Sequence, residues 1–180
     1  MREIDVPLPD GRTLHAYDVG PADAPVTVGW HHGTPNTGEP PVPLLGDGVR
    51  WISHDRPGYG GSTPHPGRDV ASVAADVAAV ADALGVGRFV AAGHSGGGPH
   101  ALACAALLPD RVAGVLCICG IAPRDADGLD WFAGMAAAGA AELRAADAGR
   151  DALAELLASA EFDPDQFTES DHAALAGPWS

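Results

Sequence analysis

The chain has 180 residues, 24 acidic side chains against 10 cationic ones, and a formal net charge of −14. That length suggests one domain, and 46% hydrophobic residues with 19% charged ones describe a globular chain, which excludes disorder. All ten cations are arginine, so chemistry needing a lysine amine is excluded, both Schiff bases and Walker-type phosphate loops, and the acidic balance argues against a nucleic-acid partner.

The start, Met1-Arg2-Glu3-Ile4-Asp5, has no apolar run behind a basic residue, so no signal peptide is expected. No stretch approaches the roughly eighteen uninterrupted apolar residues of a membrane span. A cytoplasmic, reducing location is therefore expected for the three cysteines, Cys104, Cys117 and Cys119.

The predicted elements begin with strands over 4–6 and 13–19 around the hairpin signal Asp10-Gly11. Further short apolar runs predict strands over 26–31 and 49–54. Between them lies a loop with Pro40, Pro41 and Pro43, residues that suit neither a helix nor a central strand. The period then becomes helical. Val70, Val73, Ala74, Val77, Val80, Ala81 and Leu84 share one face, with Asp76 and Asp82 off it, Asp69 as N-cap and Gly85 or Gly87 as the stop. A buried strand over 89–92, a helix over 99–108 and a continuous apolar strand over 112–119 follow. This alternation predicts a mostly parallel sheet flanked by helices. Cys117 and Cys119, two apart on the last strand, read as small buried hydrophobes; with no second pair at ligand spacing, metal binding is not expected.

From Pro123 onward the text changes. A polar loop, Arg124-Asp125-Ala126-Asp127-Gly128, leads into Ala-rich helical patterns that continue to about Ala176, with Leu153, Leu156 and Leu157 as an apolar stripe. This stretch carries 12 acidic residues and 3 arginines, so most of the charge excess sits here, on what reads as a solvated face. Two domains are drawn from this, a core over 1–123 and a helical region over 124–180.

Chemistry concentrates at Gly93-His94-Ser95-Gly96-Gly97, a G-x-S-x-G pattern with a strand before it and a helix after it. A serine on such a sharp turn has its hydroxyl lifted clear of the sheet, and side chains two residues either side would collide there, which accounts for Gly93 and Gly97. Ser95 is the candidate nucleophile, and the Gly96 amide a candidate donor to a developing oxyanion. His32-Gly33-Thr34-Pro35 follows a predicted strand where a second donor would stand, and the Thr34 amide is the candidate. Adjacent strand residues point to opposite faces, so His31 and His32 read as one structural histidine and one near the site, not as a metal pair. His100 reads as a packed or capping residue and not as a base.

Taken together, His32-Gly33-Thr34-Pro35, Asp55-Arg56-Pro57-Gly58-Tyr59-Gly60-Gly61-Ser62 and Gly93-His94-Ser95-Gly96-Gly97 resemble the α/β-hydrolase family in order and spacing. The resemblance covers about residues 1–123. It implies an α/β-hydrolase-like, mostly parallel sheet of about six strands, incomplete, followed by a helical cap segment. It implies a serine hydrolase acting on a small-molecule ester, amide or peptide through an acyl-enzyme on Ser95, with Gly96 and Thr34 as oxyanion hole. Activated C–C bonds also stay open as substrates. A serine in place of an aspartate points away from dehalogenase- and epoxide-hydrolase-like branches.

The family's acid and histidine follow strands beyond the cap. Here the tail offers only Asp163 or Asp165 with His172, and Asp125 or Asp127 as an acid after the sixth strand. The favoured expectation is that both acid and base are absent, the chain ending inside the cap and turning over little substrate. The strand over 112–119 would then form a bare apolar edge and promote self-association. No cofactor, metal, nucleic acid or membrane is expected. The alternative is a non-catalytic pseudo-hydrolase or interaction module that keeps the turn as scaffold. A nucleotide-binding doubly wound domain is disfavoured, since no G-x-G-x-x-G opens the first helix.

Overall fold

A computed structural model describes residues 1–161 and 163–177. The chain divides into two compact units, Met1–Pro123 and Arg124–Ser180. In the first, β1 (Arg2–Pro7) and β2 (Thr13–Val19) form an antiparallel hairpin, with Gly11 at φ +85° in the turn. β3 (Val26–His31), β4 (Val49–His54), β5 (Phe89–His94) and β6 (Val112–Ile118) complete one sheet in the order β1-β2-β4-β3-β5-β6. β2 meets β4 antiparallel, and every pairing among β3 to β6 is parallel. The mostly parallel, six-stranded α/β architecture read from the sequence is the observed one.

Helices α1 (Val73–Ala83) and α2 (Gly98–Leu107) bury their apolar sides on one sheet face, around Leu14, Ile52, Val77, Val80, Phe89, Ala101 and Cys104. Side-chain alternation sends Val28, Trp30, Trp51 and Ala92 to the other face, where Leu44 and Leu45 of the Pro-rich loop pack on them. Because β3 lies between β4 and β5, the carboxyl ends of these three strands open side by side. The loops after them are the ones that carry the candidate residues.

Several local expectations are corrected. α1 begins at Val73, not Val70, because Asp69 and Ser72 close a turn of their own. The Asp69 carboxylate accepts from the Ser72 amide at 2.8 Å, and Ser72 Oγ donates to the Asp69 carbonyl at 2.8 Å. Ser72 therefore holds the N-cap position in place of Asp69, and Val70, left outside the helix, is 44% exposed. Asp76 is not off the buried face: it is 3% exposed and receives the Arg12 guanidinium at 2.9 Å. Cys117 and Cys119 are exposed and only Cys104 is buried, since β6 is the last strand of the sheet and Cys119 lies beyond it at φ +50°.

In the second unit, α3 (Ala137–Ala148), α4 (Arg150–Ser159) and α5 (Glu169–Leu175) follow one another, and no strand occurs among its described residues. Gly149, at φ +124°, separates α3 from α4. Thr168 and Asp171 form a capping box that starts α5. Of the apolar stripe on α4, Leu153 and Leu156 are half-buried and Leu157 is exposed. Among the described residues, no helix is long and apolar enough to cross a membrane.

Candidate active site

Ser95 stands where β5 gives way to a single 3-10 turn, Ser95–Gly97, that runs straight into α2. Its φ is +52°, a left-handed conformation that a non-glycine residue adopts at a cost of about 1–3 kcal/mol and that surrounding packing must enforce. The enforcement is steric. A Cβ on Gly93 would strike the Gly97 carbonyl, and one on Gly97 would strike the His31 carbonyl, so the turn sits directly on the ends of β3 and β5. Gly96 faces the loop after β3: a Cβ there would lie 3.2 Å from Thr34 Oγ1 and 3.9 Å from Thr34 N. Ser95, Gly96 and Thr34 are thus gathered at one point.

The loop carrying Thr34 is held from β4. Arg56, just past the end of β4, is buried; its guanidinium donates to the His32 carbonyl, to the Gly33 carbonyl at 3.2 Å and to Thr34 Oγ1 at 3.4 Å. The Arg56 amide donates to His32 Nε2 at 3.0 Å, so His32 is a structural fastener. Asp55 ties three segments together. Its carboxylate accepts from the Gly38 amide at 2.7 Å, the Gly61 amide at 2.8 Å and the Tyr17 hydroxyl at 3.3 Å. A Cβ on Gly60 would run into that carboxylate, which explains a glycine at φ +46°.

A model of the alpha/beta hydrolase fold matches residues 30–170, spanning the Thr34 loop, the Asp55-Arg56 turn and the Ser95 turn just described. The chain belongs to the alpha/beta hydrolase fold family. Two curated proteins are similar to this α/β hydrolase: a non-heme chloroperoxidase of Streptomyces lividans, 38% identical over 120 residues, and a bifunctional esterase/perhydrolase of Acinetobacter calcoaceticus, 39% identical over 120. Each match covers 63% of this chain, and the chain spans only 43% of either relative's length. Among solved structures, epoxide hydrolase A of Mycobacterium thermoresistibile is similar at 29% identity and a TM-score of 0.55, over 64% of this chain and 38% of that one.

In this α/β hydrolase His31 and His32 are engaged away from Ser95, and His94, the residue before it, is exposed with no side-chain hydrogen bond among the described residues. His31 Nε2 lies 3.7 Å from Cys104 Sγ, beneath α2. His100 is buried, and its Nδ1 has no hydrogen-bond partner among the described residues. Burial, the dominant cause, and the nearby Arg56 charge push His32, His54 and His100 down to about 4 and His31 well below its usual range. No histidine hydrogen-bonds Ser95 Oγ among the described residues. Within the second unit, His172 Nε2 donates to the Pro164 carbonyl at 3.1 Å, Asp171 is bound to Thr168, and Asp163 accepts from the Asp165 amide at 3.0 Å. Among the described residues His172 hydrogen-bonds none of Asp163, Asp165 or Asp171. Among the described residues no group of three or more histidines, cysteines or carboxylates is placed to hold a metal ion.

Asp55-Arg56 belongs to the sequence pattern that resembles the family, with no role for either residue evident from the pattern alone. The available signal was a charged pair directly after an apolar strand and before a glycine-rich turn. Charges in that position are buried only if backbone groups satisfy them.

Proposed function

We propose that this chain carries the nucleophile and oxyanion donors of a serine hydrolase acting on a carboxylic ester or amide. The carrying observation is Ser95 held at φ +52° on the β5–α2 turn, with Gly96 set against Thr34. In this reading Ser95 Oγ attacks the substrate carbonyl carbon, and the Gly96 and Thr34 amides donate to the oxygen as it becomes negative. The hydroxyl proton leaves to a base, collapse expels the alcohol or amine, and water cleaves the acyl-enzyme. Arg56, by holding the His32 and Gly33 carbonyls, keeps the Thr34 amide aimed into the site. Serine at this position separates the chain from an aspartate-dependent, epoxide-hydrolase-like reading. The esterase named among its relatives favours an ester.

Among the described residues no histidine hydrogen-bonds Ser95 Oγ. The chain's own turnover is expected to be small, with an oxyanion hole and binding leaving roughly 10³–10⁴-fold over water, as in triad-deleted proteases. The test is fluorophosphonate labelling followed by peptide mass spectrometry. Slow labelling confined to the Ser95 peptide and lost in Ser95→Ala supports the assignment; equal labelling of the variant removes it. Brisk p-nitrophenyl acetate hydrolysis, abolished by Ser95→Ala, would instead overturn the expected low turnover. No labelling at all favours the non-catalytic module.

A further inference from the structure

Most arginines of the first unit are neutralised. Of its seven, Arg2 and Arg50 pair with Asp18, Arg12 with Asp76 and Arg111 with Asp82, while Arg88, just before β5, meets no carboxylate within ion-pair distance among the described residues. Arg56 and Arg68 meet no carboxylate within ion-pair distance among the described residues, and both lie against one ring, with their guanidinium carbons 5.0 and 6.0 Å from the centre of Tyr59. The acids next to them in the chain are committed: Asp55 to the Gly38 and Gly61 amides, Asp69 to the Ser72 amide. The Tyr59 hydroxyl is 3.3 Å from Thr34 Oγ1, which would itself lie 3.2 Å from a Cβ on Gly96. Two cations without counter-ions therefore stand one side chain away from the oxyanion donors, in a chain of net charge −14. Arg56 is buried and committed to backbone carbonyls, whereas Arg68 is half-exposed and its guanidinium makes no hydrogen bond among the described residues.

We propose that Arg68, beside Tyr59, receives a carboxylate on the substrate, so that the hydrolase favours esters with a free carboxylate near the scissile bond. This rests on Ser95 as the reacting centre. The planar guanidinium presents a fork of donors that matches a carboxylate, and the adjacent Arg56 charge adds attraction at low dielectric. A monoanion is favoured over a dianionic phosphate because the acidic remainder of the chain repels the second charge as strongly as the first. The same field is felt by the ring. Burial raises the Tyr59 hydroxyl's pKa, but hydrogen bonds from Thr34 and Arg56 and the charges of Arg56 and Arg68 bring it below its ordinary value.

The test uses monomethyl glutarate and dimethyl glutarate, which differ by one carboxylate, titrated into the Ser95→Ala chain and followed by backbone and guanidinium NMR. The monoester is expected to bind about tenfold tighter, to shift Arg68 and Tyr59, and to weaken with added salt; Arg68→Gln removes that preference and leaves the diester unchanged. Equal binding of the two esters, no binding of the monoester, or a preference that survives Arg68→Gln overturns the proposal. Ser95 labelling of the unmodified chain is scored separately. Labelling without carboxylate preference sinks only this proposal, and preference without labelling sinks only the hydrolase reading.

Discussion

At the scale of single residues, the nucleophile turn is defined by what cannot be placed there. Gly97→Ala drives a methyl group into the His31 carbonyl, whereas Gly87 has no atom within 4 Å of a Cβ. Gly97→Ala is expected to lower stability by about 2–3 kcal/mol and Gly87→Ala to leave it within about 0.5 kcal/mol, as read by chemical denaturation. The buried imidazoles give a second expectation. Their folded pKa of about 4 lies below the ordinary value near 6.5, so protonation favours the unfolded chain. Their contribution is complete above about pH 6.5 and is lost as pH falls toward 4. Urea midpoints should drop across that window, by on the order of 1–2 kcal/mol per histidine at pH 5, and His54→Gln should flatten the slope. Ser95, Gly96 and Thr34 were legible because each belongs to a short local pattern with a steric cause. Arg56 was not, because its partners are two carbonyls and a hydroxyl 22–24 residues away that no composition or period announces.

At the scale of elements, the strands were legible from apolar runs and the helices from their period, but the ends were set by side chains the period ignores. α1 lost its first residues to the Asp69–Ser72 turn. It gained a buried aspartate because Arg12, 64 residues earlier, reaches it from the hairpin. That pair links α1 to the start of β2, with side chains only 13% and 4% exposed. Arg12→Leu leaves Asp76 buried without a partner and is expected to cost about 3–5 kcal/mol, while Arg12→Leu with Asp76→Leu costs far less. A thermal-melt double-mutant cycle reads the difference, and additive losses would show that the two groups do not depend on each other.

At the scale of the whole molecule, the sheet ends on β6, a seven-residue strand without a charge, with Val115 37% and Leu116 52% exposed. Backbone groups along such an edge are a template for another strand. The 180-residue chain is expected to self-associate with rising concentration in size-exclusion chromatography, and Leu116→Lys to shift it toward monomer. A wild-type monomer at all concentrations would count against the edge as the cause. The acidic character sits chiefly in the second unit, where its solvated helices carry it.

The arginines around Tyr59 also decide how the site answers to pH. A guanidinium keeps its proton at any pH the fold survives, so no cation there can be switched off as a lysine amine could. Below neutrality the buried imidazoles respond by loosening the core beneath the turn. Above neutrality it is the phenol of Tyr59, already eased toward ionisation, that would place a negative charge between the two guanidinium groups. Charge at this mouth is therefore governed from the alkaline side by a tyrosine, a titration visible in the near-ultraviolet absorbance of a chain with only two of them.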